Sequence, residues 1–354
     1  MEKRKNGEIE LLRFVFAMII AILHFQQIYP LNVFRNGYIG VGFFFFITGV
    51  LLAKSAKNTK TEKEQVPTQT YLFVKRKIAG FLPYFVAALL INFVVCRVIL
   101  QKNPAKDLLE NLIKSIPRLL MFDYAGMRVD NFVQLGTDWY LSAMILSIII
   151  IYPVLLYRYD WASKLILPLT GLFGFGILYI NYGAFNPNNQ IMFSLLETNL
   201  VRAVSGISLG VWAYEMSLLI GRWKLTDLSK VLLTIFKWIC FLAFILYSYS
   251  GFGPKFKPGL YALCLIGIMI SFSENSYNIP YNSITNLLGK LSLPIYLIHI
   301  IPRRICELLY GSNVDVRIIW LIICLCPLAA YVFMIVTDFI FKQLRKAKHL
   351  FVAE

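Results

Sequence analysis

Long apolar runs separated by short polar segments dominate the hydrophobic pattern of this chain. The runs are about 17 to 25 residues long, which is the length that a helix needs to cross the hydrocarbon core of a bilayer. The pattern therefore predicts an all-α integral membrane protein with about ten transmembrane helices. The predicted spans lie near residues 11–29, 39–54, 78–99, 136–156, 164–182, 198–220, 231–250, 258–274, 288–304 and 317–341. The second run is short, and Pro294 interrupts the ninth.

Composition agrees with this prediction. Hydrophobic residues make up 58% of the chain and charged residues 15%, which is more apolar surface than one globular core can bury. The net charge of +16 could indicate nucleic-acid binding, but the basic residues lie in short segments between apolar runs. We therefore expect membrane lipids, and no nucleic acid, as partners. The six cysteines lie in or beside apolar runs without zinc-type spacing, so we expect packing roles and no metal.

The distribution of lysine and arginine predicts the orientation. The N-terminal tip, residues 54–77, residues 221–230 and the C-terminal tail are basic, and basic loops stay on the cytoplasmic side. An even number of spans then places both termini in the cytoplasm, and the mixed-charge loop 101–135 on the opposite side. No small-residue cleavage site follows Leu23, so we expect the first helix to be retained. Residues 1–354 are predicted to form a single membrane domain.

The first span carries the clearest candidate chemistry. Arg13 and His24 are eleven positions apart, and at about 100° per residue both side chains point from one helix face, about 16 Å apart. Glu10 lies one turn before Arg13 on that face, and we predict Glu10, Arg13 and His24 as the catalytic set. Ionisable residues inside a span are costly and usually functional. Arg13 alone could be a snorkelling anchor and His24 a packing residue, but a neutral imidazole in a dry cavity is also a natural general base.

Three consecutive basic residues, Lys75, Arg76 and Lys77, precede the third predicted span. Positive-inside topology alone explains such a cluster. The alternative is an anion site for a phosphorylated donor, because clustered cations stabilise phosphate oxygens. The sequence leaves both interpretations open.

Five residues in later spans are candidates for substrate binding. Trp139 and Tyr140 begin the fourth predicted span, where aromatic residues are also ordinary interface anchors. Arg202 lies inside the sixth span and needs either a partner or a wet cavity. Tyr296 and His299 are three residues apart in the ninth span, so they share one helix face.

Taken in order, these features resemble acyltransferase family 3. The resemblance covers nearly the whole chain and rests on the Arg13–His24 spacing, the glycine-rich aromatic second span, the basic cluster before Pro83 and Tyr84, the Trp139-Tyr140-Leu141 segment and the late GKLSLPIYLIH segment. Members of that family are membrane proteins of about ten spans that transfer acyl groups, most often acetyl, from cytoplasmic acyl-CoA to hydroxyls of bacterial surface glycans or glycolipids.

The resemblance implies a membrane-bound O-acyltransferase of the bacterial cytoplasmic membrane, with acyl-CoA, foremost acetyl-CoA, as donor substrate. It implies a polysaccharide or lipid-linked sugar as acceptor. Arg13 and His24 then correspond to the family's functional pair, and Lys75, Arg76 and Lys77 lie near the CoA phosphates. In this mechanism the acyl arm reaches along the first helix, and His24 deprotonates the acceptor hydroxyl. Direct transfer and an acyl-histidine intermediate both stay open.

The chain departs from the family pattern at Phe14, Gly42, Ile47 and Thr48, which leaves the acceptor undefined. Some relatives carry a C-terminal hydrolase-like domain, and we expect none here because a short basic tail follows the last span. Two other classes stay open. A glycan or lipid transporter would need the same spans but no CoA, and a structural membrane protein would tolerate replacement of Arg13 and His24.

Overall fold

The computed structural model describes residues 6–59, 62–101, 107, 109, 110, 113, 139–187, 190–192, 196–250, 257–311 and 314–351. The helices are α1 Gly7–Phe25, α2 Gly40–Lys57, α3 Val66–Phe93, α4 Trp139–Tyr157, α5 Leu167–Tyr182, α6 Thr198–Gly221, α7 Asp227–Tyr249, α8 Lys257–Phe272, α9 Ser283–Ile298, α10 Ile300–Tyr310 and α11 Val316–Phe351. A π-helical segment, Val94–Leu100, extends α3, and another, Ala162–Ile166, leads into α5. Strands β1 Ile191–Met192 and β2 Leu196–Glu197 pair antiparallel, with Ile191 opposite Glu197.

Within the described residues, eight helices are long and apolar enough to cross a membrane. This finding confirms a helical membrane protein. Helix α1, predicted as the first span, is not among the eight, because it carries Glu8, Glu10 and Arg13 close together. The predicted span 258–274 corresponds to the shorter α8. The count of ten and the cytoplasmic position of both termini therefore stay predictions.

Two predicted spans match the helices of the structure only in part. The predicted span 288–304 is divided at His299, where α9 ends and α10 begins, whereas Pro294 lies inside α9 without breaking it. The start of the fourth predicted span, residues 136–138, and most of the loop 101–135 lie outside the described residues. A proline inside a helix removes one backbone hydrogen bond. In a membrane bundle this loss is tolerated because groups on neighbouring helices can satisfy the freed backbone carbonyl.

Glycines bring two central helices into backbone contact. A Cβ atom at Gly49 of α2 would overlap the Ile207 carbonyl of α6, and one at Gly210 would overlap the Phe46 carbonyl. Small residues allow such close packing in membrane bundles. Helix α1 packs against α9 in a related way, since Gly289 leaves room for the Glu10 side chain. Helix α1 therefore lies against both α2 and α9, which brings its polar face into the bundle.

A buried ion pair fixes the beginning of α1. The Lys237 ammonium lies 2.7 Å from Glu8 Oε2, and both side chains are fully buried. Lys237 also donates to the Tyr277 carbonyl and to Asn278 Oδ1, and the Ser271 hydroxyl donates to Glu8 Oε1 at 2.6 Å. A buried charge pair is tolerated when such additional hydrogen bonds complete its coordination. This network therefore fixes the N-terminal turn of α1 against α7 and α8.

Candidate functional site

Arg13 and Glu10 form an ion pair on the inward face of α1. Arg13 Nη1 lies 2.9 Å from Glu10 Oε2, and both side chains keep partial exposure. Fourteen residues separate Glu10 from His24, which is about 21 Å of helix. Glu10 was predicted as a member of the catalytic set. In the structure Glu10 is the counter-ion of the Arg13 guanidinium, and its catalytic role stays a prediction.

His24 contacts the second predicted histidine directly. His24 Nδ1 lies 2.8 Å from the Ile20 carbonyl and 3.0 Å from His299 Nε2, and His299 Nδ1 lies 3.0 Å from the Ile295 carbonyl. A carbonyl oxygen only accepts, so both Nδ1 atoms carry hydrogen. In its neutral form His299 then has a lone pair on Nε2, which shares the single His24 Nδ1–H with the Ile20 carbonyl in a three-centre hydrogen bond. Neutral His24 is thereby held with its lone pair on Nε2, the nitrogen that a base needs.

His24 lines a cavity of about 400 Å³, called the His24 cavity below. Its wall combines aromatic rings, amide side chains and one cation. The lining residues are Ile20, Leu23, His24, Gln26, Gln27, Tyr38, Val41, Trp139, Asn186, Arg202 and Tyr296. Flat rings beside hydrogen-bonding groups are the usual lining of small-molecule sites. The cavity is therefore suited to a polar ligand with an apolar face.

Two further cavities adjoin it along α1. The middle cavity, about 240 Å³, is lined by Arg13, Phe44, Ile47, Thr48, Leu51, Lys77, Phe81, Tyr140, Leu141, Met144, Ser292, Leu293 and Tyr296. The Arg13 cavity, about 230 Å³, is lined by Asn6, Ile9, Glu10, Arg13, Ile47, Leu51, Lys54, Ser55, Asn58 and Phe272. Tyr296 belongs to both the His24 and middle cavities, and Arg13 to both the middle and Arg13 cavities. His24 thus lines the cavity at one end of the row, and Arg13 lies where the other two cavities meet.

Of the three basic residues before the third predicted span, one lines a cavity and two do not. Lys77 lines the middle cavity with Arg13, and its ammonium lies 5.5 Å from the Phe73 ring centroid. Lys75 and Arg76 are exposed and line none of the three cavities. Lys54 lines the Arg13 cavity and was not singled out from the sequence. Its position in the last turn of the second predicted span was the only available signal.

Four of the five predicted substrate residues line the cavities. Trp139 and Arg202 belong to the His24 cavity, Tyr140 to the middle cavity and Tyr296 to both. The Tyr140 and Tyr296 rings pack edge to face with centroids 5.5 Å apart, between the two cavities. His299 is fully buried behind His24 and lines none of the three. Its geometry favours a supporting role over contact with substrate.

Sequence inspection missed several polar residues of the His24 cavity. Gln26 and Gln27 lie two and three positions after His24, and Tyr38 precedes the second predicted span, so their positions in the chain are a usable signal. Asn186 lies beyond α5, in a segment with no periodicity, and nothing in the sequence indicates its role. Loop residues reach a site through the fold rather than through a local pattern.

Comparison with known proteins provides the family. A family model described as an acyltransferase domain, Acyl_transf_3, matches residues 6–338. No curated protein and no solved structure matches the chain. The matched range includes α1 with Arg13 and His24, and every residue that lines the three cavities. The chain belongs to acyltransferase family 3 and is a membrane acyltransferase.

Proposed function

We propose that this protein transfers an acetyl group from cytoplasmic acetyl-CoA to a hydroxyl of a cell-surface polysaccharide or lipid-linked sugar, in the bacterial cytoplasmic membrane. The observation that carries the proposal is the row of cavities with Arg13 near one end and His24 at the other. The two residues lie about 16 Å apart along α1. A long, thin donor that enters at Arg13 could present its thioester at His24.

The basic residues that line one end of the row of cavities indicate that acetyl-CoA binds there. Arg13 and Lys54 line the Arg13 cavity, and Arg13 and Lys77 line the middle cavity. Cations at these positions would hold the phosphates of CoA through charge-assisted hydrogen bonds. Glu10 leaves the Arg13 guanidinium with free N–H groups while it fixes the orientation of that side chain. The middle cavity, lined mostly by apolar and aromatic groups, suits the pantetheine arm.

The chemical step uses the tautomer described above. His24 Nε2 takes the proton of the acceptor hydroxyl while the hydroxyl oxygen attacks the thioester carbonyl carbon. The C–S bond then breaks, and the departing CoA sulfur takes the proton from the His24 imidazolium. A positioned general base contributes typically 10²–10⁴-fold to the rate. His299 Nε2 accepts from His24 Nδ1–H throughout, so it stabilises the imidazolium that forms.

The test is acetyl transfer by the purified protein in lipid vesicles, with labelled acetyl-CoA and membrane glycans as acceptor. We expect transfer by the wild type, and a loss of at least a hundredfold in His24→Gln. His349→Gln, in the C-terminal part of α11, is the matched control and should retain full activity. Arg13→Gln should raise the KM for acetyl-CoA.

Two outcomes would overturn the proposal. If His24→Gln transfers acetyl at the wild-type rate, His24 is not the base. If the wild type carries labelled glycan across the vesicle membrane and forms no acetylated product with acetyl-CoA or other acyl-CoA donors, the transporter interpretation replaces acyl transfer.

A further inference from the structure

Arg202 is a buried cation on the wall of the His24 cavity, and its neighbours in the structure are neutral. Its exposed fraction is 3%, and Nη2 donates to the Tyr38 carbonyl at 2.8 Å. The guanidinium lies 5.6 Å from the Trp139 ring centroid, and the Tyr261 hydroxyl is another neighbour. Within the part of the chain that the structure describes, Arg202 forms no ion pair with a carboxylate.

Lys237, a buried cation away from the three cavities, has a different environment from Arg202. Lys237 is fully buried, and Glu8 neutralises it at 2.7 Å with further oxygen ligands around the ammonium. The difference is that Arg202 borders a space large enough for a ligand, whereas Lys237 lines none of the three cavities. A charge buried without a partner is costly. An empty cavity lets water solvate the guanidinium, but an occupant of the cavity displaces that water.

The nature of the occupant then decides the energetics. A neutral occupant would displace the water and leave the Arg202 charge without a counter-ion among the described residues, whereas an anionic occupant would pair with it at short range in a low-dielectric site. Asn186 Oδ1, on the same wall, is buried and has no hydrogen-bond partner among the described residues, so it can accept from a ligand hydroxyl. The Trp139 and Tyr296 rings offer apolar faces on which a sugar ring can lie.

We propose that the His24 cavity binds the acceptor as a sugar unit that carries a negative charge, a carboxylate or a phosphate, next to Arg202. This inference rests on the proposed function, because it assigns the acceptor of that reaction. The anionic group pairs with the guanidinium, one hydroxyl donates to Asn186, and the hydroxyl to be acylated faces His24 Nε2.

The test measures binding without any acyl donor, so it does not depend on transfer. Saturation-transfer NMR titrations on the purified protein in nanodiscs would compare methyl β-D-glucuronide, glucose 6-phosphate and methyl β-D-glucoside. We expect at least one anionic sugar to bind about tenfold to a hundredfold more tightly than the neutral glucoside, since hydrogen bonds to charged groups are the stronger ones. The tighter of the two anionic sugars identifies the carboxylate or the phosphate as the natural group.

Variants locate the preference. Arg202→Gln should abolish it, and Arg202→Lys should retain part of it. Asn186→Asp keeps the side-chain shape but adds a negative charge to the same wall, so it should weaken binding of the anionic sugars and spare the glucoside. Arg222→Gln, an exposed arginine that follows the same helix, is the matched control.

Three results would overturn this inference: equal binding of all three sugars, no binding of any, or a preference that survives in Arg202→Gln. Each leaves the acyl-transfer assay informative. If acetyl transfer is observed without a preference for anionic sugars, the proposed function stands and the acceptor assignment falls. A preference for anionic sugars without acetyl transfer would leave an anionic-sugar site in the His24 cavity and overturn the proposed function, so that sugar would no longer be an acyl acceptor.

Discussion

Replacement of His299 by leucine tests whether the second histidine supports the first. The substitution removes the acceptor that lies 3.0 Å from His24 Nδ1. It leaves the Ile20 carbonyl as the remaining acceptor, so His24 keeps its tautomer. The Ile295 carbonyl keeps its backbone hydrogen bond from residue 299, so no buried group is orphaned. Leucine also fits a fully buried position of this size, and we therefore expect the variant to fold.

The magnitude follows from the difference between two charge states of His24. Before reaction the hydrogen bond to His299 joins two neutral rings and contributes about 0.5–1.5 kcal/mol. Once His24 has taken the acceptor proton, the donor is charged and the bond contributes about 1.5–3 kcal/mol. The difference of about 1–1.5 kcal/mol acts only in the transition state, so kcat should fall about five- to tenfold. The KM for acetyl-CoA should stay within about twofold, because His299 lines none of the three cavities.

The assay is steady-state acetyl transfer at varied acetyl-CoA, with thermal unfolding as the control for folding. His299→Gln, whose amide oxygen can accept from His24 Nδ1–H, should recover kcat to within about threefold of the wild type. Three results would refute the reasoning. An unchanged kcat in His299→Leu would remove the supporting role, a raised KM alone would indicate substrate contact, and a loss as deep as that of His24→Gln would make His299 the base.

Lys77→Gln should raise the KM for acetyl-CoA about tenfold, and Lys75→Gln should not, because only Lys77 lines the middle cavity; equal effects would contradict the cavity assignment. Gly49→Ala should lower the free energy of unfolding by about 1–3 kcal/mol through overlap with the α6 backbone. Gly80→Ala, which meets open space, should have no such effect in the same denaturant titration. Glu8→Gln leaves the buried Lys237 ammonium without its carboxylate and should lower the free energy of unfolding by about 3–5 kcal/mol in the denaturant titration. A change below about 1 kcal/mol would argue against a structural role of the Glu8–Lys237 pair.

Local periodicity was enough to predict the inward face of α1. Arg13 and His24 lie in one helix, so the 100° step per residue fixes the relative direction of their side chains without knowledge of any neighbouring helix. The Arg13–Glu10 ion pair is equally local, since three residues separate its members. The apolar run lengths predicted helices for the same reason. Each of these features depends on residues fewer than about thirty positions apart.

Contacts between helices join residues that are much farther apart in the chain, and local patterns did not predict them. His299 was assigned to substrate because it shares a face with Tyr296, yet its ring faces His24, 275 residues away in the chain. Spacing within α9 places the two side chains on one face but does not say which helix that face meets. The boundary between α9 and α10 falls at His299, whose backbone angles stay helical, and hydrophobicity does not record that boundary.

Charge partners show most clearly where sequence reasoning ends. A cation in a predicted span demands either a counter-ion or a ligand, and the demand can be predicted from composition and length alone. Which of the two satisfies it depends on the packing of distant segments: Lys237 meets Glu8 across 229 residues, whereas Arg202 meets a cavity. Both residues look alike in the sequence, as single basic side chains in apolar runs. Only the three-dimensional arrangement separates a cation that is neutralised inside the fold from one that borders a cavity.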